Sequence, residues 1–313
     1  MRTSRRKYFR KPIFIIGSPR SGTSLTYMLL GSSPGVWSTF AEDQWIFETA
    51  LGLRIDPTKD VEERGVFLDE KDATPERCDK IYDYFWQEVV NPGMFRFSGF
   101  QSGIARKIAN RLSRYFRLVL RIPVRMIHKN PRNTFRISFL RAVFQDARFV
   151  FVFRDGRANV SSLLEGWGEK RFHTFQVPVR DNSGDEVLRQ WAFELPPKWR
   201  EWAGKSLPEV CAFQWVSHNE FMLNSEQVLP KGVTVNVRFE DLLDNTTGEL
   251  RRLCQFLDLP IGRALLKAAE TSPPVASVSP PKKDKWLDRR EEIESVRYII
   301  QPMMDRLGYS WDE

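Results

Sequence analysis

The stretch Ile13-Phe14-Ile15-Ile16-Gly17-Ser18-Pro19-Arg20-Ser21-Gly22-Thr23-Ser24-Leu25 decides the fold. Four consecutive apolar residues, every one β-branched or aromatic, read as a strand buried on both faces. A glycine-bounded turn follows, and residues 23–30 then carry helical periodicity that stops at Gly31. Gly17 and Gly22 have the G-x-x-x-x-G spacing of a nucleotide-triphosphate loop, but Thr23 stands where that loop has its lysine. The backbone chemistry survives the change. Unpaired amides at a helix N-terminus, at the positive end of its dipole, still favour a phosphate, and Arg20 supplies a cation in a different place.

The same strand-then-helix grammar recurs outward from this loop. Apolar runs at 124–127, 149–153 and 233–237 are each followed by a turn and helical spacing. Residues 157–164 read as the helix after the third run, and Ile137, Leu140 and Phe144 as the apolar stripe after the second. After the fourth, Thr246 and Glu249 fit a capping box ahead of Leu250, Leu253, Cys254 and Leu257. Alternation of this kind predicts an α/β fold: a central parallel sheet with helices on both faces and right-handed crossovers. Near the C-terminus Ile293, Val296, Ile300, Met303 and Leu307 share a helical face ending at Gly308, with a kink expected at Pro302.

The 313 residues are 42% hydrophobic, enough for one domain, which we expect over 12–313 with insertions at 52–105 and 166–208 and a loose stretch at 271–288. Such insertions commonly build a second substrate pocket beyond the carboxyl ends of the strands. No apolar run reaches the roughly 18 residues that cross a bilayer, and the three cysteines have no zinc or disulfide spacing, so a cytoplasmic protein without a structural metal is expected. The net charge of +8 is uneven: residues 1–11 carry +6, residues 89–145 carry +12, and the remainder sums to −10. Residues 1–11 read as a disordered basic tail.

Pro19-Arg20-Ser21-Gly22-Thr23-Ser24 resembles the first motif of the sulfotransferases that use 3′-phosphoadenosine 5′-phosphosulfate (PAPS), which have P-(K/R)-S-G-T-(S/T) after a strand. Their second motif is an arginine at a strand end with a serine eight residues on, and here Arg154 and Ser162 answer it within Arg154-Asp155-Gly156-Arg157-Ala158-Asn159-Val160-Ser161-Ser162. That segment, with Lys129-Asn130-Pro131, Val237-Arg238-Phe239-Glu240-Asp241-Leu242, Lys285-Trp286 and Leu307-Gly308-Tyr309, is most similar to tyrosylprotein sulfotransferases and their bacterial relatives. The likeness runs from Pro12 onward but not through the two insertions.

The resemblance implies a P-loop-like fold, PAPS as donor, 3′-phosphoadenosine 5′-phosphate (PAP) as product and no metal. It implies that Arg20, Ser21, Gly22, Thr23 and Ser24 hold the 5′-phosphosulfate, that Arg154 and Ser162 hold the 3′-phosphate, and that Lys129 contacts the transferring group, with Arg20 and Lys129 counted as catalytic. A guanidinium and a hydroxyl two turns into the next helix can grip one phosphate between them. Lys285, with Ser277 and Ser279, resembles a segment closing over the nucleotide. The general base is expected at Glu42, with Asp43 its rival; His128, His173 and His218 match no base motif. The acceptor is expected to be a small-molecule hydroxyl, with an amine or a tyrosyl peptide open. Two other readings compete: a P-loop kinase or NTPase, which lacks its loop lysine here, and a nucleic-acid-binding protein using the block at 89–145, where Lys107, Arg111, Arg114, Arg121 and Arg125 oppose Ile104, Ile108 and Leu112.

Overall fold

The computed structural model describes residues 5–38, 47, 51–53, 55–60, 64–90, 123–169, 172, 174–180, 183–271 and 284–311. Strand β1 (Ile13–Gly17) leads through the loop into α1 (Thr23–Gly31) and a short β2 (Val36–Ser38). Helix α2 (Pro75–Val90) lies in the first insertion, followed by β3 (Arg125–Lys129), α3 (Ile137–Val143), β4 (Arg148–Phe153) and α4 (Gly156–Trp167). The second insertion holds a hairpin of β5 (Thr174–Arg180) and β6 (Glu186–Ala192), and then α5 (Leu207–Val228) returns the chain to β7 (Thr234–Arg238). The remaining helices are α6 (Phe239–Asp244), α7 (Thr246–Leu257), α8 (Arg263–Thr271), α9 (Arg290–Ser295) and α10 (Arg297–Leu307). Among the described residues, no helix is long and apolar enough to cross a membrane.

The main sheet has the order β2-β3-β1-β4-β7, and every pairing in it is parallel. Alternation along its strands sorts two kinds of core. Phe14, Met126, Phe149, Phe151 and Phe153 pack on one face against Tyr82, Phe85 and Trp86 of α2 and Phe139 of α3. Ile13, Ile15, Ile127, Val150, Val152, Val235 and Val237 meet Leu25 and Leu29 of α1, Leu253 and Leu257 of α7 and Leu265 of α8 on the other. Loops leaving the carboxyl ends of β1, β3, β4 and β7 therefore gather along one edge, where open α/β sheets carry their ligands.

Four expectations are corrected by the structure. Residues 5–11 do not form a loose tail: Phe9 is buried and bridges to Val124, Tyr8 stacks on Trp86 at 4.2 Å, and the backbone amide of Lys11 donates to Asp146. The charge count hid two aromatic residues able to dock. Thr246 is not the N-cap of α7; the Asn245 side chain accepts from the Gly248 amide, and Thr246 donates its hydroxyl to the Leu242 carbonyl. Helices α9 and α10 break at Val296, whereas α10 continues through Pro302. Within the basic block, Arg125 does not continue a helical stripe but opens β3 and donates to the Asp258 carbonyl at 3.0 Å, while Arg132 and Arg136 are buried over the rings of Phe175 and Phe47. Residues 91–122, with the rest of the expected basic stripe, lie outside the described residues.

Candidate active site

The loop between β1 and α1 is shaped by close packing. A Cβ on Gly17 would lie 2.7 Å from Ser21 Oγ and 2.8 Å from the Val152 carbonyl, and one on Gly22 would lie 2.1 Å from the ring of Phe239. Gly22 also has φ of 96°, a left-handed conformation open to glycine at little cost. Arg20 takes φ of 68° without that freedom, a strained setting of the kind that persists where the surroundings impose it. Gly22 is the N-cap of α1 and offers no side chain to the first-turn amides. Those amides and the helix dipole face the loop without a competing cap.

Two sequence-distant arginines and a serine meet here. Arg154, in the first position after β4, donates Nη1 to the Arg20 carbonyl at 2.6 Å, while Arg20 Nε donates to Ser162 Oγ at 3.2 Å. Arg154 is 8% exposed, with its guanidinium 4.9 Å from the Phe239 ring centroid. Burial pulls its pKa below the usual guanidinium value; Glu240 opposes that shift and Arg20 adds to it. Arg20 also lies 5.5 Å from the ring of Phe172, in the second insertion. Ser18 donates to Asn159 Oδ1 at 3.3 Å, tying the loop to α4.

Among the described residues, Ser21 Oγ, Arg154 Nε and Asn159 Nδ2 are buried polar atoms with no hydrogen-bond partner. Buried donors are normally satisfied. Three of them converging on a glycine-shaped loop at a helix N-terminus fit an anionic nucleotide.

Lys129 ends β3, in register with Ile15 of β1, and is buried. The turn after it is held to the loop by Thr134 Oγ1, which donates to the Gly17 carbonyl at 3.4 Å, and Asn130 caps that turn by accepting from the Arg132 amide. His128 points to the opposite face, among Phe14 and Phe85, and burial lowers its pKa to about 3. His218 is likewise enclosed, beside Phe135, with its pKa lowered to about 4 by burial. Lys285 Nζ donates to Glu165 Oε2 at 2.8 Å, one turn beyond Ser162 on α4. Glu42, Asp43, Ser277, Ser279 and His173 lie outside the described residues.

The structure thus brings Arg20, Ser21, Gly22, Arg154 and Ser162 together and sets Lys129 on the strand beside them. It adds Asn159, Phe172, Phe239 and Glu240, which sequence reasoning did not assign. Asn159 and Glu240 stand inside the very motifs quoted, but nothing in their spacing said which group each would meet.

Fold and site define a parallel α/β protein with a modified phosphate loop. The chain belongs to the sulfotransferase family, whose sequence pattern matches residues 12–263. Among individual relatives it is similar to protein-tyrosine sulfotransferase A of Caenorhabditis elegans, 22% identical over 319 residues that cover 95% of this chain and 67% of the relative. It is also similar to omega-hydroxy-beta-dihydromenaquinone-9 sulfotransferase Stf3 of Mycobacterium tuberculosis, 30% identical over 135 residues, 43% of this chain and 29% of that protein's length. Among solved structures, the sulfotransferase domain from the curacin biosynthetic pathway overlaps with a TM-score of 0.49 at 15% identity, covering 96% of this chain and 99% of that one.

Proposed function

We propose that the enzyme moves a sulfuryl group from PAPS to a hydroxyl acceptor, with PAP as the product. The observation that carries this is the convergence of Arg20, Arg154 and Ser162 on a loop whose Ser21 Oγ and Arg154 Nε have no partner among the described residues. On this reading Arg20, Ser21, Gly22, Thr23 and Ser24 hold the 5′ end of the donor, and Arg154 with Ser162 holds its 3′-phosphate. Each charge-assisted hydrogen bond contributes on the order of 1.5–3 kcal/mol, so this set suffices to hold the nucleotide. PAPS, when bound, supplies the sulfuryl group. The chain supplies fixed cations beside the leaving phosphate, where charge builds up as the bond breaks. Lys129 is assigned to the transferring group and Glu42 to removal of the acceptor proton, a role that typically contributes about 10²–10⁴-fold. Lys285, paired with Glu165, is assigned to the segment that closes over the nucleotide.

A hydroxyl acceptor is supported by the acceptors for which two relatives are named, a protein tyrosine in one and omega-hydroxy-beta-dihydromenaquinone-9 in the other. The −7 carried by residues 12–88 favours a neutral or cationic small molecule over an acidic peptide. A metabolite extract treated with enzyme and PAPS is expected to yield a product heavier by one sulfonate in mass spectrometry. Stabilisation by ATP with magnesium but not by PAP in a thermal-shift comparison would overturn the reading. Lys129→Ala is expected to lower turnover more than it raises the apparent Michaelis constant for PAPS; the reverse would make it a binding residue only.

A further inference from the structure

Behind Arg154 lies a layer of part-buried polar groups that the nucleotide reading leaves unused. β4 and β7 pair so that Phe153 stands opposite Arg238. The residues following the two strands, Arg154 and Asp155 on one, Phe239 and Glu240 on the other, therefore meet at one edge of the site. Glu240 Oε1 accepts from the Asp155 amide at 3.1 Å, and its Oε2 accepts from the Tyr309 hydroxyl at 2.9 Å. Tyr309 is placed by the left-handed turn at Gly308 and by Arg238, whose guanidinium lies 4.6 Å from the Tyr309 ring and donates to the Gly308 carbonyl at 3.1 Å.

Glu240 is thus fixed at both oxygens beside a guanidinium that is almost wholly buried. Among the acids acting on Arg154, Glu240 acts more strongly than Asp155, while Arg20 acts against both. Asp155 is already committed, to the Arg157 guanidinium at 2.6 Å and to the Arg157 and Ala158 amides. A buried cation needs a compensating charge. A carboxylate that compensates it without an anion present will also oppose an anion that arrives. By donating to Oε2, Tyr309 draws part of that negative charge away from Arg154.

We propose that Glu240, tethered by Tyr309, is the counter-charge of Arg154 and sets how tightly this end of the site holds a phosphate. It is a positioning residue, acting through Arg154 and touching no substrate, and the inference rests on Arg154 being a phosphate grip. The test is calorimetry of PAP and of adenosine 5′-monophosphate, which lacks the 3′-phosphate, on the wild type, Glu240→Gln and Tyr309→Phe. Glutamine removes the charge, can still accept from the Asp155 amide through its oxygen and can donate its NH2 to the Tyr309 oxygen, so PAP is expected to bind about threefold tighter or more. Tyr309→Phe leaves the full charge facing Arg154, so PAP is expected to bind about threefold more weakly or worse. Adenosine 5′-monophosphate should be indifferent to both changes. Unchanged PAP affinity, shifts of the same sign in both variants, or equal shifts for the two nucleotides would overturn the proposal, because a merely structural role weakens everything together. Where Glu240→Gln does not fold, Tyr309→Phe decides alone: a loss confined to PAP supports the proposal, and no loss or an equal loss defeats it. A wild type that fails to bind PAP, or an Arg154→Ala variant that binds it unchanged, defeats the nucleotide reading itself. PAP binding that depends on Arg154 but ignores Glu240 defeats only the inference drawn from Glu240.

Discussion

Helices α1 and α4 begin in equivalent places, each just past the carboxyl end of a central strand, yet their N-termini are treated oppositely. Asp155 caps α4 by accepting from the Arg157 and Ala158 amides, and the same carboxylate grips the Arg157 side chain. Gly22 heads α1 with no side-chain cap at all. Adjacent parallel strands thus deliver one helix end closed by the protein's own anion and one left for an anion from outside. The two arginines of the α4 turn divide in the same way. Arg157 is buried among Asp155, Trp286 and Trp311, while Arg154 Nε, among the described residues, has no partner. One arginine builds the helix end; the other is set for use.

Removing the internal anion's partner should have the largest effect. Arg157→Ala strands the buried Asp155, a loss expected to cost about 3–5 kcal/mol of folding stability in denaturant titration. If the variant instead keeps its stability and loses PAP binding, the division between the two arginines is wrong. Gly22→Ala strikes the open helix end. Left-handed strain and collision with Phe239 together are expected to cost about 2–4 kcal/mol, read as loss of PAP binding with a lowered melting temperature.

Acidification separates stability from the anion site. His128 and His218 are held neutral, with folded pKa values of about 3 and about 4. The unfolded chain takes up protons below its ordinary histidine pKa while the folded chain does not. Stability from each is therefore complete above about pH 6.5 and falls as pH drops toward the folded value, by about 2 kcal/mol per histidine at pH 5. Denaturant titrations at pH 7 and pH 5 check this, and His218→Gln should flatten part of the slope. The smallest expected effect on binding is the most specific: Arg154→Ala should weaken PAP about tenfold or more in calorimetry, equivalent to about 1.4 kcal/mol, while lowering the melting temperature less than Arg157→Ala does. An unchanged affinity would remove Arg154 from the open site.

Much of this contrast is legible along the chain. Glycines at 17 and 22, the strand-end Arg154 and the serine at 162 are local features whose meaning depends on short spacing, so strand, loop and helix can be read without contacts. The β5/β6 hairpin offered a signal too, in the alternation of Phe175, Val177 and Val179 around the Ser183-Gly184 turn, but tryptophan and proline content obscured it. Charge counting misled at Phe9, and it gave no sign that Arg132 and Arg136 would be buried. Formal charge says nothing about whether an aromatic neighbour or a carbonyl will draw a residue inside.

The amino-acid sequence by itself determined the parallel α/β architecture, the phosphate loop and the identity of the arginine and serine facing it. Hydrophobic period and glycine placement act over a few residues and need no partner to be read. Only the tertiary structure decided that Arg154 meets Arg20 and Ser162, that Asp155 belongs to Arg157, and that Glu240 and Tyr309 stand behind the site. Those pairings join residues up to 142 positions apart, through the register of β4 against β7 and the return of the C-terminus over α4. Which of two neighbouring arginines is neutralised from within is a matter of three-dimensional proximity, and local spacing cannot encode it.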